Sequence, residues 1–197
     1  MKALNINGLY MIHMVQNRDN LELEIILLLL KGENHLRNIA RILKVPHATI
    51  QRRLENLIKE NTLNYKREGK NKVFFIKGGL QAKNYVFNAE RYKLIKLLKK
   101  YPELNIIIDD ILKKTDENMV ILFGSYAKFS AKKDSDIDIY IETKSRKTKE
   151  KTEYVNSRIR VKIGKFDISS LLIKEIIKNH VILKGVEIFY EKTKFFE

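Results

Sequence analysis

The chain has 197 residues, of which 44% are apolar and 32% charged, so it can bury a core and is long enough for one large domain or two small ones. It carries 39 Lys and Arg against 24 Asp and Glu, a formal net charge of +15, and it has no Cys. The missing Cys excludes disulfide frameworks, Cys-based zinc sites and thiol nucleophiles.

The positive excess is uneven. Residues 1–100 hold 20 basic and 8 acidic side chains, whereas residues 101–197 hold 19 and 16. A basic front half points to a polyanion partner, with nucleic acid the first candidate. The longest aliphatic run, Ile25 to Leu30, falls far short of the about 20 apolar residues that span a bilayer. The N-terminus shows no apolar leader with a small-residue cleavage site. A cytoplasmic protein with no membrane partner is expected.

In chain order, Asp19-Asn20 is a helix-start signal for an apolar helix from Leu21 that stops near Gly32. Asn34 caps a second helix with Leu36, Ile39, Ala40 and Leu43 at helical spacing. After Lys44-Val45-Pro46 a third helix runs from about His47 to Glu60, and Asn61 suits the left-handed turn that ends it. Thr62–Lys66 and Lys72–Ile76 read as strands of a hairpin with Gly69 in the turn. Helices follow at about Ala89–Lys100 and Glu103–Lys114, with Pro102 suited to a first helical turn. Strands are expected at Met119–Phe123, Ile137–Ile141 and Val161–Ile168, and an edge strand at Val186–Tyr190. Helices are expected at about Thr148–Arg160 and Leu171–Lys178. The class is α+β, in three parts: residues 1–82, a helical connector at 83–101, and residues 102–197.

Three helices and a hairpin in this order resemble a winged helix-turn-helix over residues from about 20 to 80. The resemblance implies that the third helix enters the major groove of double-stranded DNA and that the hairpin wing lies along the phosphates. His47, Gln51 and Arg52 then face the bases. Gln pairs adenine and Arg pairs guanine, each worth roughly 1–3 kcal/mol of discrimination. Arg53, Lys66, Arg67, Lys70 and Lys72 suit phosphate contacts, which position without reading sequence. Winged helices also serve as protein-docking modules, and many have Gly where this chain has Lys44. Half-site symmetry makes a homodimer the expected assembly.

The back half carries Phe123-Gly-Ser-Tyr-Ala-Lys, then Asp136-Ile-Asp-Ile. Gly124 permits a tight turn, and Ser125 opens a helix whose free N–H groups can hold phosphate. Asp136 and Asp138 are two apart on a strand, so both carboxylates share one face, where they repel unless a cation lies between them. Such hard oxygen donors favour Mg²⁺ or Mn²⁺. Asp167, between Phe166 and Ile168 on the next strand, supplies a third carboxylate, with Glu153 and Glu142 as competitors for that role. Three carboxylates beside a phosphate-holding turn make a two-metal site. The four His show no ligand spacing, and no G-x-x-x-x-G-K-[ST] is present.

The spacing of Gly124-Ser125 and Asp136-Ile-Asp138 is the G-S-x10-D-x-D pattern. It resembles the minimal nucleotidyltransferase domain of the DNA polymerase β superfamily, and the fusion resembles archaeal, toxin–antitoxin-like proteins. The resemblance implies that Gly124 and Ser125 bind the triphosphate, that Asp136 and Asp138 hold both metals, and that Asp167 completes the catalytic metal and accepts the proton of the attacking hydroxyl. Where the family has Gly, this chain has Phe129, a bulky residue able to crowd the nucleotide. The implied reaction transfers a nucleoside monophosphate, most simply AMP from ATP, to an acceptor hydroxyl. The leading acceptor is a partner protein, a HEPN-type toxin, with the DNA-binding half serving autoregulation. The alternatives are a non-catalytic nucleotide-sensing transcription regulator and a template-free nucleic-acid nucleotidyltransferase.

Overall fold

A computed structural model describes residues 20–197. Asp19 of the helix-start pair and His13 lie outside them. The chain divides into two units, the first ending at Ala89 and the second Glu90–Glu197. Each combines helices with a sheet.

In the first unit, α1 (Leu21–Leu29) buries Leu21, Ile25, Ile26 and Leu29. Those positions recur every three or four residues and so share one face. Asn20 stands at the N-cap without a side-chain cap bond. A two-residue strand that the sequence reading lacks, β1 (Asn34–His35), precedes α2 (Leu36–Leu43). The Asn34 carboxamide oxygen accepts from the His35 backbone N–H at 3.0 Å and from Asn38 Nδ2 at 2.8 Å, so it braces the start of α2 from one residue before the cap. Lys44 ends α2 in the left-handed region at φ 54. A residue with a Cβ is disfavoured there, which explains why glycine suits this turn.

Helix α3 (His47–Lys59) seats Ile50, Leu54 and Leu57 in the core, and Asn61 follows it at φ 60. Strands β2 (Leu63–Glu68) and β3 (Asn71–Ile76) pair antiparallel from Leu63↔Ile76 to Glu68↔Asn71. The hairpin is tighter than the sequence suggests. Its turn is Gly69-Lys70 alone, with Gly69 at φ 58, and Arg67 stays on β2. Strand β1 pairs the other edge of β3, giving the order β1-β3-β2.

One helix, α4 (Leu80–Lys100), passes from the first unit into the second, so the predicted Ala89 start is nine residues late. The second unit then runs through α5 (Leu104–Lys114), β4 (Val120–Phe123), α6 (Gly124–Ala127), β5 (Ile137–Ile141), α7 (Arg146–Glu153), β6 (Ile159–Ile163), α8 (Leu171–Lys178), β7 (Val181–Lys184) and α9 (Val186–Lys192). The sheet order is β6-β5-β4-β7, with β5 and β6 parallel and the other pairs antiparallel.

Two expectations change. Val186–Tyr190 is helical, because Val186, Phe189 and Tyr190 bury at helical spacing, and the edge strand is β7 instead. The expected strand Val161–Ile168 is β6, shifted to Ile159–Ile163 and ended before Gly164. The preceding helix stops at Glu153 and leaves room for that shift.

The core of this unit joins Leu97, Leu104, Ile108 and Ile111 to Val120, Leu122, Ile137, Ile139, Ile141, Ile159 and Val161. Alternation sends Asp138 and Tyr140 to the opposite face of β5. That face is closed by aromatic contacts, Tyr140–Phe166 at 6.0 Å and Phe166–Phe189 at 5.7 Å between ring centroids. The Tyr140 hydroxyl donates to the Gly164 carbonyl at 2.9 Å, which fixes the chain just after β6. Among the described residues no helix is long and apolar enough to cross a membrane.

Candidate functional site

Strand β4 delivers a buried, extended Phe123 to the turn at Gly124, which has φ 69 and opens α6. Phe123 pairs with Asp138 across the antiparallel ladder. The Asp138 carboxylate therefore leans over the turn. A Cβ at position 124 would lie 2.1 Å from its Oδ2, so any other residue there would displace this carboxylate and strain the turn. Lys128 and Ser130 N–H close the turn behind it, on Gly124 O at 3.2 Å and Ser125 O at 3.0 Å.

The loop from α6 to β5 is braced as well. Arg158 Nη1 donates to the Lys133 carbonyl at 2.7 Å and to the Tyr126 hydroxyl at 3.2 Å. Lys128 pairs with Glu175 of α8 at 2.7 Å.

Asp138 is half-buried, and its carboxyl is pushed above the usual range first by burial and then by the neighbouring Asp136 charge. Lys162 and Arg160 pull it the other way. Asp136, one residue before β5, is exposed, and its Oδ1 lies 3.3 Å from Arg160 Nη2. These cations come from β6, where Arg160 pairs with Asp138 and Lys162 with Tyr140 in the parallel register. Sequence reasoning passed over both. The signal was the alternation in Ile159-Arg-Val-Lys-Ile, whose outward face is wholly basic.

Asp167 is elsewhere. It lies four residues beyond β6, exposed, and its Oδ1 accepts the backbone N–H of Ser169 at 2.9 Å and the Ser169 hydroxyl at 2.7 Å. Those donors hold its carboxyl below the usual range. The expected placement on the neighbouring strand is thus corrected, because Asp167 closes a turn before α8 instead. The competing carboxylates are also engaged: Glu142 accepts from Phe166 N–H at 3.1 Å, and Glu153 from Val161 N–H at 3.0 Å.

Among the described residues no group of three His, Asp or Glu gathers as a metal cage. Asp136 and Asp138 are the carboxylates that could hold a hard cation. The third carboxylate that two ions would share is absent beside them, and Arg160 stands there instead.

Phe129 adopts the left-handed region at φ 55, the reason glycine fits that position. Its ring packs against the core of the unit, and Lys100 Nζ donates to its carbonyl.

In the first unit, His47, Gln51, Arg52, Arg67, Lys70 and Lys72 are exposed. Arg53 is not free for a phosphate, because its Nη1 pairs with Glu22 of α1 at 2.6 Å and its side chain is only 27% exposed. This correction follows from helix geometry, since position 53 points back toward α1. Gln51 donates to Glu55 at 3.0 Å, Lys66 pairs with Glu33 and Glu68, and the Lys72 ammonium lies 4.3 Å from the Tyr65 ring centroid. A cleft of about 350 Å³ lies between α3 and the β2–β3 hairpin, lined by Gln51, Glu55, Lys70, Lys72, His35 and Arg37.

Residues 105–194 match the family model described as Polymerase beta, Nucleotidyltransferase. The second unit is similar to that domain. At the family level the match points to nucleotidyl transfer, and its span covers α6, β5 and β6. No curated protein and no solved structure matches the chain.

Proposed function

We propose that the second unit transfers a nucleoside monophosphate, most simply AMP from ATP, to an acceptor hydroxyl. The single observation carrying this reading is the Asp138 carboxylate seated against the Gly124 turn, where a side chain would collide with it. In this reading the first N–H groups of α6 and the Ser125 hydroxyl bind the triphosphate. Mg²⁺ or Mn²⁺ held by Asp136 and Asp138 would neutralise charge on the phosphates. The acceptor hydroxyl gives its proton to solvent as its oxygen bonds to the α-phosphorus, the bond to the oxygen bridging the α- and β-phosphorus breaks, and pyrophosphate leaves with that electron pair. In this reading Asp167 is left out, because it does not gather with Asp136 and Asp138. Phe129 does not argue against the reading, because its ring lies on the core.

We further propose that the first unit is a winged helix-turn-helix that binds double-stranded DNA as a homodimer. Arg52, His47 and Gln51 would meet bases, and Arg67, Lys70 and Lys72 phosphates. The acceptor hydroxyl belongs to a partner protein, a HEPN-type toxin being the leading class, in the cytoplasm. The DNA-binding unit then couples modification to autoregulation.

A second reading is favoured by Arg160, the cation where a third carboxylate was expected. Under it the protein binds nucleotide without transfer and changes its DNA affinity. Incubation with Mg²⁺ and ATP labelled at the α-phosphate, alone and with products of adjacent genes, separates the two. Label on a protein that disappears in Asp138→Ala supports transfer. Operator affinity that changes with ATP and no label supports the sensor.

A further inference from the structure

The β6 face beside the two aspartates bears on how a cation reaches this site, and the inference rests on the nucleotide-binding reading above. Arg160 is anchored. Its Nη1 donates to the Ser157 carbonyl at 2.7 Å and to the Ile159 carbonyl at 3.0 Å, while Nη2 faces Asp136 at 3.3 Å. The guanidinium is thus held by the backbone at its own strand's entrance and cannot swing clear without losing both bonds. Lys162 stands two residues further along the same face and also acts on Asp138.

The local sum is two carboxylates, the anchored Arg160 and the neighbouring Lys162, formally neutral. A bare divalent ion approaching Asp136 and Asp138 meets two like charges from β6, and Coulomb repulsion over a few ångströms offsets the attraction of the carboxylates. A triphosphate changes the balance, because its own negative charge is attracted by Arg160 and Lys162.

We propose that this is a one-ion site in which the nucleotide brings the cation, with Arg160 occupying the place of a second metal and, with Lys162, contacting the triphosphate. Asp136 and Asp138 take the ion carried by the nucleotide. The protein alone does not retain a divalent ion.

The test is equilibrium dialysis of the full chain against Mn²⁺, with and without ATP, measuring bound Mn²⁺ by its paramagnetic resonance and bound ATP by absorbance. The expected result is no retained Mn²⁺ without ATP and a bound ratio near one with it. Arg160→Asp removes the cation and adds a carboxylate, so it should tighten nucleotide-free Mn²⁺ binding by roughly tenfold or more. Arg160→Gln, which only removes charge, should give a smaller gain in the same direction. Circular dichroism checks that both variants fold.

Two Mn²⁺ per bound ATP in the unaltered protein would overturn the one-ion proposal while leaving nucleotide binding intact. So would retention of Mn²⁺ without ATP, or unchanged Mn²⁺ binding in both folded variants. No ATP retained at any Mn²⁺ concentration would overturn the parent reading, and the one-ion proposal with it.

Discussion

Three acidic side chains of the second unit show how surroundings assign different work to one functional group. Asp138 is half-buried near another carboxylate, and its carboxyl is pushed up. Asp167 is exposed, accepts two hydrogen bonds from Ser169, and is held down. Glu90 is almost fully buried, and burial alone would raise it. His180 Nε2 at 3.3 Å, Lys93 at 3.6 Å and the Tyr190 hydroxyl at 3.0 Å outweigh that cost and hold it low. Of the three only Asp138 is left raised, because Arg160 and Lys162 of β6 offset just part of its burial and of the Asp136 charge, and it is the one that leans over the Gly124 turn. A carboxylate left under-compensated at a glycine turn is a group poised for a ligand.

The sharpest way to break this comparison is at Gly124. Gly124→Ala places a methyl group on the Asp138 carboxylate at a strained φ. Nucleotide transfer or binding should fall by roughly 100-fold, a loss of catalytic stabilisation in the range of one misplaced charged group. Asp167→Asn should change the same assay by less than about threefold, since Asp167 sits in the turn before α8 with Ser169 and does not gather with Asp136 and Asp138. Equal losses in the two variants would show that the separation of the carboxylates is wrong.

Next in size is the buried pair. Glu90→Leu leaves His180 facing an apolar side chain, and His180→Ala leaves Glu90 without its imidazole partner. Removing one partner of a buried pair costs about 3 kcal/mol, read as a lowered urea midpoint. His180 donates through Nδ1 toward the Ile176 and Ile177 carbonyls at 3.0 and 3.1 Å, so the loss also frees the end of α8. An unchanged midpoint would mean that Glu90 is not compensated in this way.

A third test compares neighbours on α3. Arg52→Ala should weaken DNA binding by about tenfold and flatten its salt dependence if Arg52 meets the duplex. Arg53→Ala should leave DNA affinity nearly unchanged and lower stability by about 1 kcal/mol through loss of the Glu22 pair. Gel shifts at several salt concentrations and urea melts read the two effects. The reverse pattern would overturn the proposal that the Arg52 side of α3 meets DNA.

The smallest effect is a pH dependence. The folded protein raises the Asp138 carboxyl, so the proton is bound more tightly in the folded state than in the unfolded chain. That contribution is present in full below the ordinary aspartate value and is lost as pH rises through the raised one. At neutral pH the ionised group opposes folding, and Asp138→Asn should raise the melting temperature slightly there while abolishing function. In strongly acidic buffer, where Asp138 is protonated, the two proteins should melt alike. A difference that grows as pH falls would have the wrong sign and would exclude burial as the dominant cause.

Much of this architecture was legible before any coordinates. The buried helix faces in the first unit follow from periodicity, as do the glycine turn and the outward Asp136 and Asp138. Element boundaries fared worse where a stretch is apolar all along, as at Val186–Tyr190, because helix and strand patterns coincide in a short buried run. Arg53 and Asp167 were also misplaced, for a common reason. A charged side chain acts on whatever lies within a few ångströms, and chain position does not specify that. Glu22 is 31 residues from Arg53, and Ser169 only two from Asp167, yet each takes up its charge.

Composition and spacing by themselves determined that a basic helical front half is joined to a glycine turn followed by two same-face carboxylates. These are local properties, set by side-chain type and by the periods of helix and strand. Tertiary structure alone decided which charges stay available. The parallel register of β5 and β6 puts Arg160 beside Asp138, and the turn before α8 carries Asp167 away. Electrostatic energy depends on distance through space, and only the packed sheet sets that distance.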